Sequence, residues 1–263
     1  MIKVYVAGAC GQMGRVVTET LLRQADMELA GAADVLGEGR ELPLSGERPP
    51  MRLAGWPERE TLRALGAEVM VDFTGPEAAG RNAVEALHAG AVPVIGSTGL
   101  GEDAMTELRR LSREKGVGVF IAPNFALGAI LMMKFAEQAA AYFPDVEIIE
   151  MHHDRKLDAP SGTALRTAEW IARARSPKRQ GRAEESEKLT GARGGDFEGM
   201  RIHAVRLPGL EAHQTVIFAG SGQSLTIRHD AYSRETYMPG VMLAVRKSRG
   251  LKDFVVGLEN FLD

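Results

Sequence analysis

A single cysteine, Cys10, stands among 263 residues, so no intramolecular disulfide can form. That usage suits a reducing compartment and predicts a cytoplasmic protein. No apolar run approaches the roughly eighteen residues that a membrane-crossing helix requires. The opening stretch, MIKVYVAGACG, turns to glycine too soon to hold the apolar core of a secretory signal. An excess of either charge is also missing: 32 Lys and Arg face 35 Asp and Glu, for a net charge of -3. No global field would recruit nucleic acid or an anionic membrane, and the basic residues gather in no aromatic-interleaved block. What is present, 44% hydrophobic and 25% charged residues, is ordinary for a globular chain. The length suffices for one large domain or two modest ones.

The first half alternates short apolar runs with longer helical patterns. Strands are predicted at 2–7, 28–33, 69–73, 92–95 and 117–122, and helices at 11–24, 76–89 and 102–115. Strands apolar on both faces and separated by helices specify a parallel sheet covered on each side, a doubly wound α/β fold. A helix at 127–142, a strand at 146–153 and a helix at 161–174 follow. The charged, glycine-rich segment 175–199 reads as a mobile loop with little core. Strands at 201–207, 215–219 and 225–231, the last two joined by a hairpin turn at 220–222, precede a closing helix at 239–247. The rhythm changes near residue 124, which predicts a second, α+β domain with a mixed sheet.

The stretch VAGACGQMG follows the first strand and opens the first helix. Gly8, Gly11 and Gly14 permit a tight turn and close backbone approach, so that amides at the helix start can face a pyrophosphate. The spacing GxxGxxG is one residue longer than the common dinucleotide fingerprint and is weak evidence alone. Two features strengthen it. Asp34 ends the second strand, placed to accept hydrogen bonds from an adenosine ribose, and Gly96–Gly99 (GSTG) follows the fourth strand at the same sheet edge. Cys10 reads as a small filler, since no partner base stands beside it.

The stretch HHDRKLDAPSGTA, from His152 to Ala164, crowds imidazoles, bases and acids around a Pro-Ser-Gly-Thr turn. On an extended strand His152 and His153 face opposite ways, and no third ligand stands at zinc-like spacing, so no metal is expected. Asp158 or Ser161 can cap the helix that follows, leaving the amides of Gly162 and Thr163 at its positive end to accept a carboxylate or phosphate. An anion cradle, the Lys156 ammonium and two imidazoles suit a small acidic substrate held beside a nicotinamide. Ser161 as a nucleophile is disfavoured, because capping would consume its hydroxyl.

This stretch, extended to EMHHDRKLDAPSGTA, closely resembles the signature of the dihydrodipicolinate reductase family. The resemblance spans nearly the whole chain, through VAGACGQMGR, VDFTGPEA, VIGSTGL, IAPNFALG, HAVRLPGLEAHQTVIF and LTIRHDAYSR. It implies that His152 is the catalytic acid/base and Lys156 the proton donor, with His153, Gly162 and Thr163 gripping substrate carboxylates. It implies a cofactor site made of Gly8, Ala9, Cys10, Gly11, Gln12 and Met13 at the pyrophosphate, and Asp34 at the ribose. Gly96, Ser97 and Thr98 would lie near the nicotinamide ribose, and Ala122, Pro123, Asn124 and Phe125 would cross between domains beside the nicotinamide. It further implies a Rossmann-like domain, residues 1–123 with 233–263, and a substrate-binding and oligomerisation domain, 124–232, that builds a homotetramer.

The implied reaction reduces a cyclic unsaturated dicarboxylate with NADH or NADPH, after loss of its 4-hydroxyl group as water. Gln12 and Val35 stand where many or some members carry cations, so NADH is expected to serve at least as well as NADPH. Two other readings stay open on the residues alone: another two-domain nicotinamide oxidoreductase, such as an amino-acid dehydrogenase, and a non-catalytic dinucleotide sensor. His88 and His203 read as structural or solvent-facing, and His213 and His229 carry no defined role.

Overall fold

A computed structural model describes residues 1–46, 48–182 and 184–262. The chain divides into two compact units, Met1–Phe125 with Tyr237–Asp263, and Ala126–Thr236.

The first unit opens with β1 (Ile2–Ala7), α1 (Gln12–Leu21) and β2 (Met27–Ala33). A small hairpin, β3 (Glu41–Leu42) and β4 (Met51–Arg52), leads to α2 (Arg59–Leu65). Then come β5 (Val69–Asp72), α3 (Pro76–Ala89), β6 (Val92–Ile95), α4 (Glu102–Lys115) and β7 (Val119–Ile121). The strands β5, β6 and β7 are buried at every position, as parallel strands covered on both faces must be. Leu87, Ile95, Leu108, Leu111 and Val119 form one core layer where α3 and α4 lie on the sheet. Pro76 opens α3 within its first turn, and Gly90, at φ 88°, closes it in the left-handed conformation.

The second unit runs α5 (Leu127–Ala140), β8 (Asp145–His152), α6 (Gly162–Ala174), β9 (Gly195–Phe197), β10 (Met200–Arg206), β11 (Ala212–Gly220) and β12 (Gln223–Ala231). Its five strands lie in the order β12-β11-β8-β10-β9. β8 runs parallel to β10 and antiparallel to β11, so the sheet is mixed. The chain then returns to the first unit with α7 (Met238–Ser248) and β13 (Phe254–Val256). There β13 pairs parallel to β7, completing a sheet of order β13-β7-β6-β5-β1-β2.

Several boundaries move from the sequence expectation, each for a local reason. The strand expected over 117–122 shrinks to β7, because the Val117 amide donates back to Ser112 and closes α4. The strand expected to reach Phe73 stops at Asp72, whose carboxylate accepts the Thr74 amide and turns the chain. The helix expected from Ser161 begins at Gly162, with Ser161 as its cap. The 175–199 segment, expected as a mobile loop with little core, includes a short strand and one buried side chain. It contributes β9, and Arg175 is only 5% exposed while its guanidinium donates to the carbonyls of Pro144, Lys178 and Glu198.

Candidate active site

In the first unit, the glycine loop is folded tightly against the ends of β1 and β2. Gly8 takes φ 84°, and its amide and that of Ala9 both donate to the Ala33 carbonyl. A Cβ on Gly8 would lie 2.9 Å from the Phe73 carbonyl oxygen, and one on Gly14 would lie 1.9 Å from that of Gly8. Only glycine permits this turn. The Gly11 amide donates to Gly8, and the Cys10 amide donates to Asp34 Oδ2 at 2.9 Å. The amides from Gly8 to Gly11 therefore hold the loop itself. Donors for an anion come from the first turn of α1, where no side chain caps the helix and Met13 and Gly14 have no intrahelical acceptor.

Asp34 lines a cavity of about 300 Å³ together with Gly8, Gly11, Val35, Trp56, Phe73 and Thr74. Its two oxygens accept the Cys10 and Leu36 amides, each at 2.9 Å. A carboxylate offers about four lone-pair positions, so capacity remains for two hydroxyl groups. Asp72 is buried, accepting from the amide and hydroxyl of Thr74 and from Asn82, two residues that line the cavity. Burial pushes its pKa up against the pull of those hydrogen bonds.

The remaining expected cofactor residues sit at the neighbouring strand ends. A Cβ on Gly96 would strike the Phe73 ring at 2.2 Å, and the Ser97 hydroxyl is buried without a hydrogen-bond partner among the described residues. Thr98 and Pro123 are exposed. Ala122 is buried, its amide donating to Ile95, and Asn124 follows half-buried. Phe125 packs on Phe73 and Phe120 with ring centroids 5.7 and 6.1 Å apart. A loop too tight for a side chain, an acid with acceptor capacity to spare and an orphaned hydroxyl suit a bound dinucleotide.

The second unit gathers the other expected residues at the end of β8 and the start of α6. His152 and Glu150 share a face of β8, and His152 Nδ1 lies 2.6 Å from Glu150 Oε2. His153 follows the strand, its Nδ1 buried without a hydrogen-bond partner among the described residues. Lys156 Nζ donates to both oxygens of Asp158, at 2.7 and 2.9 Å. Ser161 Oγ accepts the Ala164 amide at 3.2 Å, so Ser161, not Asp158, is the cap. Gly162 stands at the first helical position, and a Cβ there would meet nothing within 4 Å.

Sequence reasoning passed over Glu150, Arg206, Trp56 and Phe73. Arg206 grips Glu150 with both terminal nitrogens, at 2.8 and 2.7 Å. Trp56 lines the first-unit cavity, and the Arg81 guanidinium lies 3.8 Å from its ring centroid. His203 is paired to Glu147 at 2.8 Å and His213 to Asp230 at 2.7 Å, which gives both a structural place. Among the described residues, no group of three or more His, Cys, Asp or Glu is arranged to hold a metal ion, and no helix is long and apolar enough to cross a membrane.

A doubly wound unit with this glycine loop, joined in one chain to a mixed-sheet unit bearing imidazoles and an ammonium, defines a two-domain nicotinamide oxidoreductase. Comparison with known proteins narrows the class. Residues 2–125 match the family model for the dihydrodipicolinate reductase N-terminus, and residues 128–262 match that for its C-terminus. The chain belongs to the dihydrodipicolinate reductase family. It is 57% identical to a 4-hydroxy-tetrahydrodipicolinate reductase of Desulfitobacterium hafniense, over 100% of this chain and 99% of that one. It is 51% identical to the enzyme of that name from Halalkalibacterium halodurans, over 100% of both chains. The solved structure of a dipicolinate-bound dihydrodipicolinate reductase from Paenisporosarcina sp. TG-14 superposes with TM-score 0.89 at 43% identity, covering 100% of both chains. A probable dehydrogenase from Thermotoga maritima shares the fold alone, with TM-score 0.63 at 11% identity over 99% of this chain and 92% of its own.

Proposed function

We infer that this chain performs the reduction for which its relatives are named, using His152 and Lys156 as its proton-handling groups. It is an oxidoreductase that uses a nicotinamide dinucleotide, and its substrate is a small molecule. The amino-acid dehydrogenase and sensor readings give way to the family's activity. The observation that carries the reading is the array of His152, Lys156 and the α6 start, set along the connection from the end of β8 to α6 in a chain that matches the family from end to end.

When bound, the dinucleotide would supply a hydride. The substrate, a cyclic dicarboxylate with a 4-hydroxyl group, loses water, takes up the hydride and needs one proton at the adjacent carbon. His152 presents Nε2, since Nδ1 is committed to Glu150. Lys156 supplies a positive charge and a transferable proton, with Asp158 anchoring the ammonium between turnovers. His153 and the amides of Gly162 and Thr163 hold the carboxylates at the positive end of α6. Oxidation of NADH or NADPH that occurs only when aspartate semialdehyde, pyruvate and the preceding synthase are supplied tests the activity. Its absence in that coupled assay would sink the reading.

Carboxylate binding at the α6 start predicts that pyridine-2,6-dicarboxylate competes with substrate. Gly162→Pro isolates the amide, because proline suits the first helical position, Ser161 already has the extended backbone that precedes proline, and no atom obstructs the ring's first carbon. It should raise the inhibition constant about tenfold, the worth of a charge-assisted bond of about 1.5 kcal/mol. Thr163→Val keeps its amide and should have a smaller effect. Inhibition constants from steady-state competition decide this, and no inhibition at any concentration would remove the site.

The dinucleotide would be held by the α1 start, Asp34, Trp56 and Ser97. Asp34 faces the cavity as an acid beside the neutral Val35, so a 2'-phosphate would meet repulsion with no adjacent cation at that position. Arg15 is turned to the Cys10 carbonyl at 2.9 Å. NADH should therefore serve at least as well as NADPH, and Val35→Arg should move the preference toward NADPH by about tenfold. Kinetics with both cofactors at matched ionic strength measure the shift. A clear wild-type preference for NADPH would assign the phosphate to Arg15 or Arg40. Assembly as a homotetramer through the second unit belongs to the same proposal, supported by Leu131 and Phe135, one turn apart on α5 and 39% and 50% exposed. So does residence in the cytoplasm, which rests on the unpaired Cys10.

A further inference from the structure

We propose that Glu150 is the positioning residue of the substrate site, one buried carboxylate that fixes the tautomer of His152, the Lys156 turn and the start of α6 together. Glu150 is fully buried, on the face of β8 that also carries Val146 and Ile148. A carboxylate there is costly unless every lone pair is used. All of them are. Oε2 accepts from His152 Nδ1 at 2.6 Å and from Arg206 Nη1 at 2.8 Å. Oε1 accepts from Arg206 Nη2 at 2.7 Å and from the Ser161 amide at 3.1 Å. Four donors meet about four lone-pair positions.

Each of those donors leads to a residue of the substrate site. Burial pushes the Glu150 carboxyl up, but the hydrogen bonds from His152 and Arg206 outweigh it and hold its pKa at about 2. With Arg206 donating to both of its oxygens, Glu150 stands as an acceptor, which assigns the hydrogen of the neutral His152 ring to Nδ1. The outward Nε2 is left to take or give the working proton, as an orienting carboxylate does for a catalytic imidazole elsewhere. The second path runs through Arg206, whose Nη2 also donates to the Asp158 carbonyl at 2.8 Å, while the Asp158 carboxylate holds Lys156. The third is the Ser161 amide, next to the anion-accepting turn at Gly162. Among the described residues, the groups facing Glu150 are His152 on β8, Arg206 on β10, Ser161 before α6, and the neutral Gln214 opposite it on β11.

A merely stabilising ion pair would not set a tautomer, and that difference is measurable. The inference rests on the catalytic reading of His152 but is tested apart from it. Ring nitrogen NMR of 15N-histidine-labelled wild type, with His152 assigned by its loss in His152→Ala, should show the neutral ring protonated at Nδ1. In Glu150→Gln the side-chain amide can donate to Nδ1, so the protonated nitrogen should become Nε2. Turnover of folded Glu150→Gln should fall by about 10²-fold or more, the cost of presenting the wrong tautomer. Its KM for NADH should stay within about twofold, because the dinucleotide residues lie in the other unit. A wild-type ring protonated at Nε2, or a folded Glu150→Gln enzyme with wild-type turnover, would overturn the proposal. Should Glu150→Gln fail to fold, the wild-type spectrum alone decides. Unchanged turnover in His152→Ala would instead sink the catalytic reading while leaving the tautomer result standing.

Discussion

Lys156→Ala should lower turnover by about 10²- to 10⁴-fold, the usual worth of a positioned acid–base group. His152→Ala should do likewise. The two residues stand at the end of β8 and in the turn after it, each tied to a carboxylate: His152 to Glu150 at 2.6 Å and Lys156 to Asp158 at 2.7 Å. Truncating Lys156 removes a proton source and also leaves Asp158, whose side chain is 64% exposed, as an uncompensated negative charge near the carboxylate cradle. KM for the dicarboxylate should therefore rise as kcat falls. Asp158→Asn in the same background separates the two effects: it should restore KM and leave kcat low. Affinity for NADH should barely change, since the expected dinucleotide contacts involve neither residue. Steady-state kinetics joined to a direct NADH titration make the distinction, and wild-type turnover in either variant would defeat the assignment.

The parallel unit was legible where burial and punctuation agreed. The bounds of β1, α3, β6 and α4 coincide with the sequence expectation because apolar runs in the strands and amphipathic patterns in the helices meet clear punctuation, such as Pro76 at the start of α3 and Gly116 after α4. The hairpin of β3 and β4 has two residues per strand, too few for any period to emerge. In α2, seven residues long, Leu62 alone is buried, so no apolar stripe marks it. The strand β13 is three residues of which none is fully buried, and its partner β7 lies far back in the chain. Short elements exist here because tertiary pairing supports them, and local sequence carries little trace of that support.

The same limit applied to the site. The run from His152 to Thr163 was legible because its groups are contiguous and the cap is a local device. Glu150 stands two residues before that run, and its partner Arg206 comes 56 residues later, brought alongside by the parallel register of β8 and β10. A signal was available. Strand alternation puts Glu150 on the same face as Val146, Ile148 and His152, and an acid on an apolar face demands a cation or several donors. Trp56 offered less, because it lies in a connection between short elements, and only the fold carries it to the cavity beside Asp34.

Gly14→Ala should weaken NADH binding by about 10²-fold while leaving kcat at saturating NADH close to wild type. The added Cβ would lie 1.9 Å from the Gly8 carbonyl oxygen, 2.7 Å from its carbon and 2.9 Å from Ala9 Cα. All three are backbone atoms, so no side chain can swing aside, and either the loop or the start of α1 must move. The loop has little slack. The amides of Gly8 and Ala9 are bound to Ala33, that of Gly11 to Gly8, and that of Cys10 to Asp34. A shift would pull the first-turn amides of α1 from the proposed phosphate position and disturb Asp34, the acid proposed to meet the ribose. Two charge-assisted bonds weakened by about 1.5 kcal/mol each amount to roughly 3 kcal/mol, or a factor of about 10² in affinity. The damage should stay within the first unit, because the groups proposed to handle the proton and hold the dicarboxylate belong to the second. Gly162→Ala is the control: its Cβ meets no atom within 4 Å, so NADH affinity should match wild type. Fluorescence titration with NADH, with far-ultraviolet circular dichroism to verify folding, measures both variants. Wild-type affinity in folded Gly14→Ala would show that the amides at the start of α1 do not bind the pyrophosphate.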